Sequence, residues 1–274
     1  MNIVDKLVAA SRRNNSLLCI GLDPDSSQMP EGLDITQFTC RVIQATCDLV
    51  CAYKINFAFF EALGERGYYA LEAVRSHIPA DVPSIADAKR GDIGNTSKAY
   101  ARAVFEQLNF DAVTVNPYMG CDSIQPFIDY AERGVFILCR TSNAGADDFQ
   151  SLVCSNREGR QMPLYQQVAQ KAAEWNLKGN IGLVVGATAP NELSIIRQAH
   201  PMLPILIPGI GSQGGNLEKA VRFGFNPEGG MAIINSSRQI IHASSGADFA
   251  HHARRAALAL KNDINSIRQS MVKS

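Results

Sequence analysis

The residues of this sequence best suited to chemistry are lysines and carboxylates that alternate over short distances. Asp87, Lys89 and Asp92 follow one another closely, and Lys54 lies in an earlier apolar run. Residues two apart in a β-strand point to the same face, so Asp87 and Lys89 should project together. A lysine between two carboxylates keeps its proton. It is therefore suited to donating that proton and to attracting an anion, and is a poor amine nucleophile.

Other chemistries fit this cluster less well. A Schiff-base aldolase needs a nucleophilic amine, and a two-metal hydrolase needs more carboxylates and usually histidines. An ion-pair network with a purely structural role is a further alternative, although an apolar layer would serve that role at least as well. The five histidines are predicted to lie on the surface at helices or helix ends: His77, His200, His242, His251 and His252.

A second candidate site lies in residues 208–215, which are rich in glycine. They contain a G-x-G-x-x-G pattern that includes Gly211 and Gly214. A dinucleotide site would need an acidic residue about 20 positions further on, and the next apolar run ends instead near Asn235. We therefore expect backbone N–H groups at a helix start that bind a phosphate, with Arg238 supplying a planar fork of donors. The alternative is that the glycines only form tight turns and Arg238 is a surface charge.

The candidate site residues must be positioned by secondary-structure elements. Short apolar runs that end at Gly, Pro, Asp or Asn indicate the strands. We predict eight strands, at residues 17–23, 49–56, 83–90, 112–118, 134–142, 181–188, 204–211 and 229–237. Helical periodicity covers residues 34–48, 59–78, 95–108, 121–133, 163–176, 190–199, 215–224 and 246–269. Parallel strands need long crossovers and are buried on both faces, so this alternation predicts a closed (β/α)8 TIM barrel. A doubly wound open sheet is the alternative.

The chain is predicted to form a single barrel domain over residues 1–274, because no linker or shift in composition divides it. An additional N-terminal helix within residues 1–15 is expected at the bottom of the barrel. Residues 143–162 form a long loop after the fifth strand, a candidate lid or interface loop. Active sites of this fold lie at the carboxyl ends of the strands, an end of the barrel that we call its mouth. Both candidate sites are therefore expected at the mouth.

Composition argues against several classes of protein. The chain has 26 basic and 26 acidic residues, so no overall field draws it to nucleic acid or anionic membranes. A basic stretch near Arg254 and Arg255 is predicted to be a solvated helix face. The seven cysteines form no C-x-x-C pair and no zinc-finger spacing, which predicts reduced thiols and no metal site. The sequence shows no signal peptide or membrane span, so we expect a cytoplasmic protein.

Taken together, the motifs resemble the orotidine 5'-phosphate decarboxylase family in its longer bacterial form. They are YKIN at 53–56, DAKRGDIGNT at 87–96, RTSN at 140–143, VGAT at 185–188, PGIGSQGG at 208–215 and NSSR at 235–238. The similarity runs in order from about residue 17 to residue 241. Ala144 departs from the family, which commonly has proline there, and this bears on loop rigidity more than on chemistry.

The resemblance implies decarboxylation of orotidine 5'-monophosphate to uridine 5'-monophosphate and carbon dioxide, the last step of de novo pyrimidine nucleotide biosynthesis. It implies no metal and no organic cofactor. By analogy with the family, Asp23 and Lys54 hold the ribose hydroxyls and Asp87 lies against the departing carboxylate. Lys89 then protonates C6 of the pyrimidine.

The same resemblance assigns the remaining substrate contacts. Ser142 and Gln213 would hold the pyrimidine, and Gln213 with Arg238 would bind the phosphate. Further substrate-binding residues are Gly211, Gly214 and Ser237. The family also implies a homodimer, in which Asp92 and Thr96 reach into the partner's site.

Two other functions remain open at this point. A magnesium-dependent sugar-phosphate decarboxylase or aldolase on a similar barrel shares the D-x-K-x-x-D motif. That rival, however, holds its metal partly with a carboxylate where this chain has Lys54. A catalytically silent protein that binds nucleotide phosphates would keep Arg238 and the glycine segment but could dispense with Lys89.

Overall fold

The computed structural model describes residues 1–156, 159–211, 214–226 and 231–272. Its strands are β1 (Leu18–Leu22), β2 (Ala52–Asn56), β3 (Ser84–Arg90), β4 (Ala112–Val115), β5 (Gly134–Arg140), β6 (Val153–Ser155), β7 (Gln161–Pro163), β8 (Ile181–Val185), β9 (Ile205–Ile207) and β10 (Ala232–Ser236). All of these except β6 and β7 form one closed parallel barrel. The predicted barrel is confirmed, and the open-sheet alternative is wrong.

Helices cover the outside of the barrel. They are α1 (Ile3–Asn14), α2 (Ile35–Thr46), α3 (Phe57–Glu61), α4 (Glu65–His77), α5 (Gly94–Arg102), α6 (Cys121–Ile128), α7 (Leu164–Trp175), α8 (Pro190–Ala199), α9 (Leu217–Gly224), α10 (Arg238–Ile241) and α11 (Phe249–Val272). The helix predicted over residues 59–78 is divided into α3 and α4, because Gly64 between them has a φ of +60°. The short helix α10 was not predicted.

The order of strands around the barrel decides which ends face each other across the mouth. That order is β1-β10-β9-β8-β5-β4-β3-β2. Strands β3 and β9 are therefore diametrically opposed, and β10 lies beside β9. The charged residues of β3 consequently face the segment that follows β9.

The inside of the barrel is filled by apolar side chains, and α1 closes its lower end. Ile3 and Leu7 of α1 pack against interior residues that include Phe136, Leu206 and Ile233. Burial of these side chains drives the helix onto the barrel. The expected position of the N-terminal helix is thereby borne out by the packing.

A buried carboxylate, Asp111, ties α1 to the bottom of the barrel. Lys6 of α1 lies 2.5 Å from its Oδ1 atom, and the Ser84 hydroxyl donates to its Oδ2 atom at 2.8 Å. Arg75 of α4 lies 3.5 Å from the same Oδ2 atom. Because these partners satisfy the charge, Asp111 can remain buried.

The long segment after β5 contains structure that the sequence did not predict. Strands β6 and β7 form an antiparallel pair that begins within the predicted loop of residues 143–162 and ends one residue beyond it, at Pro163. The start of the segment is bound to the end of β5, since Arg140 donates to Asp147 at 2.7 Å. Gln150 also exchanges two hydrogen bonds of 2.8 Å with Thr141. These contacts hold the first part of the loop beside the mouth.

The surroundings of His242, one of the histidines predicted to lie on the surface, differ from that prediction. His242 is half-buried, stacks on Phe38 with ring centroids 5.5 Å apart and accepts the backbone N–H of Asp25 at 3.2 Å. Burial lowers the pKa of His242 below its ordinary value. The prediction of a surface residue is wrong here, because the sequence did not reveal the aromatic neighbour.

The basic stretch on α11 is engaged with neighbouring carboxylates. Arg254 donates to both carboxylate oxygens of Asp48, at 2.6 and 2.8 Å, and His252 lies 3.0 Å from Asp248. These pairs fit the predicted solvated helix face. Among the described residues, none of the helices combines the length and apolar character needed to cross a membrane.

Candidate active site

A cavity of about 500 Å³ opens at the carboxyl ends of the barrel strands. Seven residues predicted for the site line it: Asp23, Lys54, Asp87, Lys89, Ser142, Ser237 and Arg238. The lining residues do not include Asp92, Thr96, Gly211 or Gly214. Gln213 lies outside the residues that the structure describes.

The charged residues on one side of the cavity form a continuous array. Lys54 donates to Asp87 Oδ2 at 2.9 Å, and its ammonium lies 3.6 Å from Asp23 Oδ1. Lys89 donates to the other oxygen of Asp87, Oδ1, at 2.7 Å. Asp87 thus lies between two ammonium groups. The sequence predicted instead a lysine between two carboxylates, and this arrangement is found at Lys54, between Asp87 and Asp23.

The two lysines of the array differ in how deeply they are buried. The side chain of Lys54 is 5% exposed, whereas that of Lys89 is 52% exposed. Burial alone would lower the pKa of Lys54, but the carboxylates of Asp23 and Asp87 outweigh it and hold that pKa above its ordinary value. Lys54 is therefore a fixed positive charge, while Lys89 extends into the open mouth.

Asp87 is kept ionised by its neighbours. Burial would raise its pKa, but the ammonium groups of Lys54 and Lys89 hold that pKa well below the ordinary value. An ionised Asp87 accepts hydrogen bonds and donates none. At neutral pH the cavity wall therefore presents a permanent carboxylate between two cations.

The backbone around Lys89 departs from a regular strand. Strand β3 leaves its register with β4 between Ala86 and Arg90, and Lys89 has a φ of +46°. A left-handed backbone is costly for a residue with a side chain. The backbone N–H of Lys89 donates to Thr114 Oγ1 at 3.0 Å, which supports this conformation.

The chain leaves the cavity directly after β3. A Cβ on Gly91 would lie 2.8 Å from the carbonyl oxygen of Asn116, so glycine is required for this close approach. Asp92 then accepts the backbone N–H of Ile93 at 2.8 Å, and Thr96 is exposed in the first turn of α5. Neither Asp92 nor Thr96 is among the residues that line the cavity of their own chain.

The opposite side of the cavity is formed after β9 and β10. Gly209 has a φ of +102°, a conformation that only glycine adopts readily, and it lines the cavity together with Pro208. The Ser237 hydroxyl donates to the carbonyl of Gly21 at 2.8 Å. Arg238 is exposed at the start of α10 and borders the cavity. A cation is thus available across the mouth from Asp87.

The start of α9 differs from the expected helix N-terminus with bare N–H groups. Asn216 caps the helix by accepting the N–H of Lys219 at 2.9 Å. The N–H groups of Gly214 and Gly215 bind the carbonyls of Gly211 and Gly209, at 2.9 and 3.1 Å. The N–H groups of Gly214 and Gly215 therefore take part in the turn of the glycine segment.

Polar residues that received no role from the sequence also line the cavity. They include Asn56 and Asn235, which belong to the YKIN and NSSR motifs, and Thr114 and Gln150, which the sequence did not single out. Asn56 lies two positions after Lys54, and Asn235 two before Ser237, so the period of a strand places both on the face of a predicted site residue. Thr114 gave no such signal, because it lies within the apolar run of β4.

The closed barrel and the charged cavity at its mouth together define a (β/α)8-barrel enzyme whose site suits an anionic ligand. The family model of the Orotidine 5'-phosphate decarboxylase / HUMPS family matches residues 16–253. The chain therefore belongs to this family. The family resemblance and the decarboxylase class predicted from the sequence are confirmed.

Similar proteins cover nearly the whole chain. An orotidine 5'-phosphate decarboxylase of Dehalococcoides mccartyi (strain CBDB1) is 52% identical over 269 residues, which cover 98% of this chain and 99% of that protein. One from Herpetosiphon aurantiacus is 50% identical and covers 93% of this chain and 95% of its own. The structure of Leishmania donovani OMP decarboxylase matches with a TM-score of 0.85 at 41% identity, covering 98% of this chain and 99% of the other.

Proposed function

We propose that this chain decarboxylates orotidine 5'-monophosphate to uridine 5'-monophosphate and carbon dioxide, with Lys89 as the proton donor to C6 and without a cofactor. The observation that carries the proposal is the array of Lys54, Asp87 and Lys89. The side chain of Lys89, at the outer end of the array, is half exposed in a cavity of about 500 Å³. The names of the similar proteins support the choice of substrate.

The array suits the electronic demand of this reaction. Loss of carbon dioxide leaves the electron pair of the broken C–C bond on C6, where resonance relieves it little. A positive charge held where negative charge develops stabilises the transition state. Lys89 supplies that charge and then transfers its proton to C6, which completes the new C–H bond.

Asp87 favours departure of the carboxylate. Two unit charges about 4 Å apart repel each other by roughly 4 kcal/mol at an effective dielectric constant of about 20. A substrate carboxylate against Asp87 experiences this repulsion, and the repulsion ends when neutral carbon dioxide forms. Lys54 is ion-paired with Asp87 and keeps that carboxylate in place.

The remaining contacts orient the nucleotide. Asp23 and Lys54 hold the ribose hydroxyls, Ser142 and Gln213 the pyrimidine, and Gln213 with Arg238 the phosphate. Further substrate contacts are assigned to Gly211, Gly214 and Ser237. Because the phosphate lies far from C6, its binding energy can hold the site closed during the reaction.

A homodimer completes each site, with Asp92 and Thr96 supplied by the partner. The cavity lining supports this, since neither residue lines the cavity of its own chain. Large apolar side chains are exposed at the same end of the barrel: Ile93 is 61%, Tyr118 83% and Met119 46% exposed. A second subunit would cover this surface. We further propose that the enzyme works in the cytoplasm, where its seven free thiols stay reduced.

The magnesium-dependent rival is less compatible with this site. Its metal would need a carboxylate ligand where Lys54 places an ammonium 2.9 Å from Asp87. Across the described ranges, nowhere do three His, Cys, Asp or Glu side chains come together in a way that could hold a metal ion. A silent phosphate-binding protein, in turn, has no use for Lys89 in a strained backbone.

The direct test is incubation of the purified chain with orotidine 5'-monophosphate. Conversion is followed by the change in ultraviolet absorbance, and the product is identified by chromatography against uridine 5'-monophosphate. The proposal expects stoichiometric conversion. Substrate that binds but persists would support a silent binding protein, and substrate that neither binds nor reacts would overturn the assignment.

A further inference from the structure

The uncharged hydroxyl of Thr114 contacts both Asp87 and the backbone of Lys89. Thr114 lies in β4, is 1% exposed and lines the cavity. Its Oγ1 atom lies 3.0 Å from Asp87 Oδ1 and 3.0 Å from the backbone nitrogen of Lys89. No role follows for this residue from the assignments above.

The direction of both hydrogen bonds is fixed by the number of protons. An ionised carboxylate can only accept, so the single proton of the Thr114 hydroxyl is donated to Asp87. A backbone N–H can only donate, so the hydroxyl oxygen accepts from Lys89. The chain of hydrogen bonds therefore runs from the Lys89 backbone through Thr114 to Asp87.

This arrangement holds Lys89 from two directions. Asp87 Oδ1 accepts from the Thr114 hydroxyl and also from the Lys89 ammonium, at 2.7 Å. Thr114 thus restrains the backbone of Lys89 directly and the partner of its ammonium through Asp87. The restraint acts where β3 leaves its register with β4 and where Lys89 adopts a left-handed backbone.

We propose that Thr114 is a positioning residue, whose hydroxyl sets the place of the Lys89 ammonium relative to the reacting carbon. The inference rests on the proposed decarboxylation. Thr114 does not exchange a proton with the substrate, and it acts through Asp87 and Lys89. Small displacements of a catalytic group are costly, so the hydroxyl should affect turnover more than binding.

The test compares Thr114→Val with Thr114→Ser. Valine keeps the shape of threonine but has no hydroxyl, whereas serine keeps the hydroxyl and loses a methyl group. Removing a hydrogen bond to a charged group should lower kcat of Thr114→Val about 10- to 100-fold. KM and the dissociation constant for uridine 5'-monophosphate should stay within about threefold of wild type, because those contacts remain. Thr114→Ser should retain most of the activity.

A matched control is Thr39→Val. Thr39 is equally buried, but its hydroxyl donates to Ile35 within α2 and does not reach the cavity. Its kcat should equal that of wild type. Should Thr114→Val fail to fold, Thr114→Cys replaces it, because a thiol is similar in size to a hydroxyl but is a weaker hydrogen-bond donor. We then expect a smaller loss of kcat in the same direction.

The outcomes separate this inference from the proposed function. A wild-type chain without decarboxylase activity would overturn the proposed function itself. An active wild type with an unchanged kcat in Thr114→Val would overturn the positioning role alone. Equal losses in Thr114→Val and Thr114→Ser would also overturn it, because the methyl group and not the hydroxyl would then be required.

Discussion

Lys54 donates a hydrogen bond of 2.9 Å to Oδ2 of Asp87 while its side chain is only 5% exposed. Each charge makes burial of the other tolerable. The pKa of Lys54 is raised by its carboxylate neighbours and that of Asp87 is lowered by the two lysines, so both stay charged across the neutral range. The pair is the fixed part of the site.

The two lysines should therefore differ in what they contribute to stability. Lys54→Ala leaves Asp87 and Asp23 without their buried partner, and we expect a loss of about 3–5 kcal/mol in the free energy of unfolding. Lys89→Ala removes a half-exposed charge, so it should change that free energy by no more than about 1 kcal/mol while abolishing turnover. Urea unfolding and activity assays on both variants provide the check. Equal destabilisation would contradict this division of roles.

Replacement of Lys89 by glycine should relieve backbone strain. The left-handed φ of +46° costs energy in alanine but little in glycine. We expect Lys89→Gly to be about 0.5–1 kcal/mol more stable than Lys89→Ala, since the gain exceeds the extra entropy of the unfolded glycine chain. Both variants should be inactive. A lower stability of the glycine variant in urea unfolding would argue that the backbone there is not strained.

Arg238 should contribute to binding through the phosphate. Arg238→Ala is expected to weaken substrate binding by about 1.5–3 kcal/mol, the scale of a charge-assisted hydrogen bond. Turnover of a substrate without the phosphate should be nearly unchanged. Arg255→Ala, an exposed arginine of α11 outside the cavity, is the matched control. Equal losses on both substrates would show that Arg238 does not bind the phosphate.

Exhaustive chelation should leave decarboxylation unchanged. The reason is that Lys54 occupies the place where a metal would need a carboxylate. Activity is measured after dialysis against a chelator, and again after magnesium is added back. Activity that is lost with the chelator and returns with magnesium would favour the sugar-phosphate rival.

Mixed dimers test whether Asp92 serves the partner's site. Lys89→Ala and Asp92→Ala homodimers should each be nearly inactive, but a hybrid contains one site with both residues intact. Equal random mixing makes about half of the dimers hybrid, so activity should recover to about a quarter of wild type. Differentially tagged subunits are mixed after partial denaturation and refolded. Verified hybrids with no activity above that of the parents would place Asp92 in its own subunit's site or in none.

The barrel could be predicted from the sequence because its strands are short, continuous apolar runs. Burial on both faces of a parallel strand leaves a signal that does not depend on distant contacts. The hairpin of β6 and β7 leaves no such signal, since each strand has three residues and is partly exposed. The position of His242 was also hidden, because it depends on the ring of Phe38, distant in sequence.

The charged half of the site was predicted for a similar reason. Asp87 and Lys89 are close in sequence, and the period of a regular strand predicted that they would project together. The left-handed backbone of Lys89 could not be predicted, because it follows from the lost register with β4. Thr114 was missed because a threonine among valines is typical of any buried strand.

The most direct measurement of the central claim is a single-turnover experiment with substrate labelled in its carboxylate. Wild-type chain in excess should release labelled carbon dioxide and uridine 5'-monophosphate in equal amounts. Lys89→Ala should release neither above background while still binding uridine 5'-monophosphate. Release by Lys89→Ala at the wild-type rate would contradict the account, because the proton at C6 would then come from another group.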